Sequence, residues 1–211
     1  MTRVLRAGPP PATARLTAIL VHGRGASASD IMTVAPAIGA DDIAFLAPEA
    51  PDHTWYPYSF LVPMERNEPF LTASLATLGR LVDDLKREGL DGSRIALAGF
   101  SQGACLSLEF AARHASKYAA VIAFSGGLIG PPGTARDYRG TFESTPMFIG
   151  CSDVDPHIPV ERVRESTSVL RRMGAHVDER IYPGMGHVIS DDELHAAAAL
   201  LRPAADRLRR D

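Results

Sequence analysis

Arg94-Ile95-Ala96-Leu97-Ala98-Gly99-Phe100-Ser101-Gln102-Gly103-Ala104 is the stretch on which the reading of this chain turns. An apolar run with β character, Arg94 to Phe100, meets a helix-like pattern from Gln102 to His114, and the joint between them is a G-x-S-x-G element. Small residues two before and two after the serine let a strand turn sharply into a helix and leave the hydroxyl exposed, where bulkier residues would clash. The plainer alternative is an ordinary strand-to-helix turn in which Ser101 caps the helix.

Further apolar runs occur at 16–21, 43–46, 120–124, 146–150 and 176–182, most of them continuous, as expected for parallel strands buried on both faces. Helix-like patterns lie between them at 30–38, 69–88, 102–114, 160–173 and 191–208. Gly89 after Lys86-Arg87-Glu88 reads as a helix stop, and Ser190-Asp191-Asp192-Glu193 as a capped helix start. Strands alternating with helices imply right-handed crossovers and a mostly parallel central sheet with helices on both faces, an α/β fold. No repeat or linker divides the chain, so residues 1–211 are expected to form a single domain. Two segments, 49–68 and 126–145, fit neither helix nor strand and are expected to border a cleft. The first holds Trp55, Tyr56, Tyr58, Phe60, Met64 and three prolines.

Composition narrows the partners. Hydrophobic residues at 45% and charged residues at 22% are ordinary for a globular domain, and 22 Lys plus Arg against 25 Asp plus Glu, a net charge of −3, comes with no basic stripe suited to nucleic acid. Arg202, Arg207, Arg209 and Arg210 read as the solvated end of a last helix. Cys105 and Cys151, both in apolar surroundings, are expected to be small buried side chains rather than a disulfide framework. The Gly8-Pro9-Pro10-Pro11 start contains no apolar stretch long enough for a signal peptide or membrane span, and the expectation is a cytoplasmic protein.

The elbow-like setting of Ser101 points to an activated serine, which requires a base. In the α/β-hydrolase fold the chain order is serine, acid, histidine, and His187, in the glycine-rich Tyr182-Pro183-Gly184-Met185-Gly186-His187 loop after the last strand, is favoured as that base, with His157 its rival. The acid is expected after the strand at 146–150. Asp155, fixed by Pro156, is favoured over Asp153, although either carboxylate could simply accept loop N–H groups. The backbone N–H groups of Gln102 and Arg24, the latter in His22-Gly23-Arg24-Gly25, are the expected oxyanion donors. That loop lacks a phosphate-loop pattern, and His22 itself reads as a structural residue. Ser125, with no glycine two residues before it, is expected to shape the cleft floor. Trp55 and Tyr56 are the expected substrate-binding residues of the cleft wall. No metal-ligand spacing is present, and acyl transfer to water needs no cofactor.

At these residues the chain resembles the phospholipase/carboxylesterase family of small α/β-hydrolases, which includes bacterial carboxylesterases and acyl-protein thioesterases. The resemblance rests on His22-Gly23-Arg24-Gly25, Trp55-Tyr56, Gly99 to Ala104, Phe124-Ser125-Gly126, Asp155-Pro156-His157-Ile158-Pro159 and Gly186-His187. It implies Ser101, Asp155 and His187 as a triad, Arg24 and Gln102 as oxyanion donors, a small-molecule ester as substrate, and it allows a homodimer. Arg24, and the mixture of Glu65, Arg66 and Asn67 with aromatics, favour short to medium acyl esters over the long acyl chains of a thioesterase.

Overall fold

Residues 3–38 and 41–202 are described by a computed structural model. Among them seven strands form one sheet: β1 (Val4–Ala7), β2 (Leu16–Val21), β3 (Ile43–Pro48), β4 (Ile95–Phe100), β5 (Ala120–Phe124), β6 (Pro146–Ser152) and β7 (His176–Tyr182). Their order is β1-β3-β2-β4-β5-β6-β7, and every pairing is parallel except β1 against β3. The continuous apolar runs become β2, β3 and β5, buried along their whole length, as a parallel sheet covered on both faces requires. β1 is an addition to the strands expected from sequence. It is four residues long and only partly buried, so it carries almost no periodic signal.

Residues alternate between the two faces. Ile19, Val21, Leu97, Val121 and Ala123 pack with α3 (Phe70–Arg87), α4 (Gln102–Arg113) and α5 (Val160–Arg172). Ala18, Leu20, Ala96, Ala98 and Ile122 pack on the other side with α1 (Ala28–Met32), α2 (Ala35–Ile38) and α6 (Asp191–Leu201). In α3 the buried Leu71, Leu75, Leu78, Val82 and Leu85 recur at helical spacing on one face, and each such burial is worth about 1.5–3 kcal/mol.

The helix expected over 30–38 is instead two short helices. Pro36 has no N–H to offer the Met32 carbonyl, so the first helix stops and the proline falls within the first turn of the second. At Ser27 the first begins with a capping box closed by Asp30, and α6 begins the same way with Ser190 and Glu193. Gly89, at φ +89°, ends α3 as read from the sequence. The expected continuation of α6 to residue 208, with Arg207, Arg209 and Arg210, lies outside the described residues, and Arg202 is exposed. Among the described residues no helix is long and apolar enough to cross a membrane.

Cys105 and Cys151 are free and buried. Burial pushes both thiols up to about 12, and for Cys151 the Asp155 carboxylate adds to the effect. Native protein at about pH 8 is therefore expected to resist alkylation by iodoacetamide at both cysteines, while urea-unfolded protein takes two labels. Rapid labelling of either thiol in the native state would contradict this burial.

Candidate active site

Because β2, β4, β6 and β7 run parallel, the loops leaving their C-terminal ends gather on one side of the sheet. Ser101 comes directly after β4, with φ 56° and ψ −120°. Its N–H donates to the Phe124 carbonyl (2.9 Å) and its carbonyl accepts from Cys105 N–H (3.0 Å), so the sheet and α4 fix it from both sides. Its side chain makes no helix-capping bond. The hydroxyl instead lies 2.8 Å from His187 Nε2.

His187 Nδ1 is 2.7 Å from Asp155 Oδ2. An ionised carboxylate can only accept, so Nδ1 carries the proton and Nε2 is left to accept from the serine hydroxyl. The Asp155 side chain is fully covered. Burial alone would raise its pKa, but the His187 bond and the N–H groups of His157 (2.8 Å) and Ile158 (3.0 Å) outweigh it and hold the carboxyl below the usual carboxylate range. Asp153 takes a different role: exposed, it accepts from Gly184 N–H at 2.7 Å, while Ser152 Oγ accepts from Gly186 N–H at 3.0 Å. These two residues tie the His187 loop to the end of β6. Ser152 carried no sequence signal beyond its neighbourhood. His157 packs its ring edge-on against His187 at 4.8 Å and makes no bond to Ser101.

The loop after β2 faces the elbow. His22 is buried, and Ala50 N–H donates to its Nε2 (3.1 Å), leaving its Nδ1–H to donate to the Gly23 carbonyl (2.7 Å). Burial holds it below its ordinary value, in keeping with a neutral structural imidazole. Gln102 opens α4, where its N–H has no acceptor within the helix. Gly23, Arg24, Ser101 and Gln102 all line a cleft of about 600 Å³, together with Tyr56 to Phe60, Phe100, His157 and His187.

The cleft wall is irregular backbone held by polar side chains. Gln102 Oε1 accepts from Trp55 N–H (3.0 Å) and its Nε2 donates to the Tyr56 carbonyl (2.8 Å). Arg24 donates to the carbonyls of Pro57 and Tyr58, each at 2.7 Å, and buried Asn67 bridges Tyr58 N–H and the Ser59 carbonyl. Tyr56 lines the cleft as expected of its position. Trp55 does not. It is 2% exposed, packs in the core, and donates its indole N–H to the His22 carbonyl (2.9 Å), so the expectation of a Trp55 pocket wall is replaced by Pro57 to Phe60. The segment 126–145 is also absent from the lining. Its start is drawn inward because buried Arg162 donates to the carbonyls of Leu128 and Gly130, and it meets the lining of the cleft through Gly130 N–H on the Phe60 carbonyl (2.8 Å) and Gly127 N–H on Cys105 Sγ (3.5 Å). Ser125 is buried and outside the lining as well.

Residues 8–204 match the sequence profile of the phospholipase/carboxylesterase family. The chain is similar to the crystal structure of a phospholipase/carboxylesterase from Dyadobacter fermentans DSM 18053, at 41% identity and a TM-score of 0.92, covering 96% of this chain and 97% of that one. It is also similar to the crystal structure of esterase PE8, at 25% identity and a TM-score of 0.78, covering 95% and 98%. In sequence it is similar to acyl-protein thioesterase 1 of Gibberella zeae, 29% identical over 215 residues, covering 88% of this chain and 89% of that protein.

The placement of these side chains sets two expected outcomes. Trp55→Ala should lower stability by about 3–5 kcal/mol in urea unfolding, as loss of a buried aromatic does, and a variant as stable as the parent would place the indole outside the core. Asp155→Asn should cost about 10⁴-fold in kcat, by loss of the tautomer that frees Nε2, whereas Asp153→Asn should cost far less. Equal losses in the two variants would assign the acid to neither.

Proposed function

The chain belongs to the phospholipase/carboxylesterase family of α/β-hydrolases and is a serine hydrolase, and from that premise we propose that it acts as a single-domain carboxylesterase on short to medium acyl esters, through an acyl-enzyme on Ser101. The observation that carries this reading is the unbroken chain from Ser101 Oγ to His187 Nε2 and from His187 Nδ1 to Asp155, at 2.8 and 2.7 Å.

In the proposed mechanism Ser101 Oγ attacks the ester carbonyl as its proton passes to His187 Nε2. Asp155, kept ionised, stabilises the imidazolium without taking the proton. The negative charge that develops on the carbonyl oxygen is met by the N–H groups of Gln102 and Arg24, which line the same cleft and were laid down before the substrate arrives. His187 then gives its proton to the leaving alcohol. Water enters, loses a proton to the same nitrogen and attacks the acyl carbon; as the bond to Ser101 Oγ breaks, His187 returns that proton to Oγ, the acid leaves and Ser101 is restored. Tyr56 to Phe60 supply the wall against which the acyl or alcohol group lies.

A second reading, thioester hydrolysis, is favoured by the similarity to acyl-protein thioesterase 1 over 88% of the chain. Both readings share the same chemistry at Ser101, and they part on the leaving group. A panel of ester and thioester substrates of matched acyl length separates them: turnover of esters with little gain on thioesters supports the first.

The nucleophile is tested independently. Ser101→Ala should lower kcat by about 10⁴-fold or more with the fold retained, and a serine-directed phosphonate should add once, at Ser101, by intact-mass and peptide analysis. An adduct on a different residue would overturn the assignment.

A further inference from the structure

We propose, on the basis of the esterase reading above, that the cleft selects esters bearing a second, anionic group, and that the Arg24 side chain is the specificity-determining residue that binds a substrate carboxylate. Among the described residues the lining of the cleft contains no aspartate or glutamate, and Arg24 is its one permanently charged side chain. Asp155, the nearest acid to the chemistry, lies covered behind His187, its oxygens engaged by His187, the N–H groups of His157 and Ile158 and the Cys151 thiol.

Arg24 differs from many arginines of the molecule in what it touches. Arg15 is paired with Asp42, Arg113 with Glu109, Arg136 and Arg162 with Glu165, and Arg180 with Asp178 and Asp192. The Arg24 guanidinium meets two neutral carbonyl oxygens, of Pro57 and Tyr58, and lies 5.9 Å from the Tyr56 ring centre. Carbonyl oxygens orient a guanidinium but leave its charge in place. Of its five N–H donors two are used, and the planar fork retains donors for a carboxylate. The charge is also fixed in direction, since the two 2.7 Å bonds clip it to the cleft wall, which lowers the entropy lost when a ligand binds. Tyr56, Phe60 and Phe100 give the cleft apolar walls that concentrate the field of that charge. A second cation, Arg66, stands 4.7 Å over the ring of Tyr58, outside the lining of the cleft.

The test uses two matched substrate pairs, monitored by acid release in a pH-stat. Monoethyl adipate against ethyl hexanoate places the carboxylate on the acyl side, and 4-acetoxybutanoate against butyl acetate places it on the alcohol side. In each pair a methyl group replaces the carboxylate. The wild-type protein should favour the anionic member of at least one pair by about tenfold in kcat/KM, and Arg24→Gln should remove that preference while Arg24→Lys keeps part of it. Raising the salt from about 0.05 to about 0.5 M should narrow the wild-type preference. Because the preference is a ratio within one variant, any general loss from an altered wall or loop cancels. Neutral members preferred in both pairs by the wild type, or a ratio unmoved in Arg24→Gln, would overturn the proposal. Turnover of none of the four esters would instead count against the esterase reading, and calorimetric binding of adipate then decides the matter: binding about tenfold weaker in Arg24→Gln sustains the anion site, and equal or undetectable binding by both proteins ends it.

Discussion

Ser101 holds its hydroxyl at the end of a central strand in a backbone conformation, φ 56° and ψ −120°, that a residue with a Cβ resists. Such a conformation costs on the order of 1–3 kcal/mol and persists only where the surroundings over-determine it. Here they do so through close approach. A Cβ on Gly103 would stand 2.1 Å from the Val21 carbonyl oxygen, and one on Gly99 would stand 2.4 Å from that of Gly103. The first turn of α4 is therefore pressed against the ends of β2 and β4, while Ser101 N–H closes onto β5 through Phe124. Three adjacent strands share in fixing one hydroxyl, which is why the elbow can sit strained within an otherwise regular sheet.

The strain has a second consequence at the next residue. Gln102 begins the helix with an N–H that the helix cannot satisfy, and its side-chain amide reaches outward to pair with both the N–H of Trp55 and the carbonyl of Tyr56. Irregular backbone beside a core must find partners for its polar groups. The segment from Trp55 to Ser59 finds them in Gln102, Arg24, Asn67 and Ser74, the last donating to the Trp55 carbonyl at 2.6 Å. The cleft wall is thus anchored to the elbow on one side and to the β2 loop on the other. A displacement of either anchor moves the wall and the proposed oxyanion donors together.

Much of this was legible in the sequence, for reasons that differ from residue to residue. The buried strands announce themselves as continuous apolar runs, and Gly99, Ser101 and Gly103 between a strand and a helix suit little besides a sharp elbow. Ser101, His187 and Asp155 come within hydrogen-bond reach because loops at the ends of parallel strands converge, a consequence of topology that chain order alone suggests. Trp55 was harder. An aromatic in an irregular segment reads equally as cleft wall or as core, and what decides is an indole N–H bonded to the His22 carbonyl, a contact across 33 residues that leaves no local pattern. The clamping roles of Gln102 and Asn67 are hidden for the same reason, since each depends on a long-range meeting of one amide with a particular stretch of backbone. Pro36 did carry a local signal, and it divides what periodicity joins.

Asp153 and Asp155 show how two residues of one type, two positions apart, acquire opposite environments. Asp153 stays exposed and spends a carboxylate oxygen on Gly184, a structural tie that water could replace at modest cost. Asp155 is covered, and a covered carboxylate would normally take up a proton rather than remain charged. Its ionisation depends on the bond to His187 and on the three residues next in the chain. Pro156 fixes the turn so that the N–H groups of His157 and Ile158 point back at Oδ1, leaving Oδ2 for His187. With folded-state affinity for the proton lowered, this carboxylate adds stability at pH values above its ordinary pKa of 3.8 and loses that contribution as the pH falls through its lower folded value. The same donors that stabilise the charge also settle the imidazole tautomer, since an acceptor-only carboxylate at Nδ1 leaves Nε2 bare toward the serine. Local backbone geometry after Asp155 is therefore what makes a buried acid, a correctly protonated histidine and an activatable hydroxyl mutually consistent.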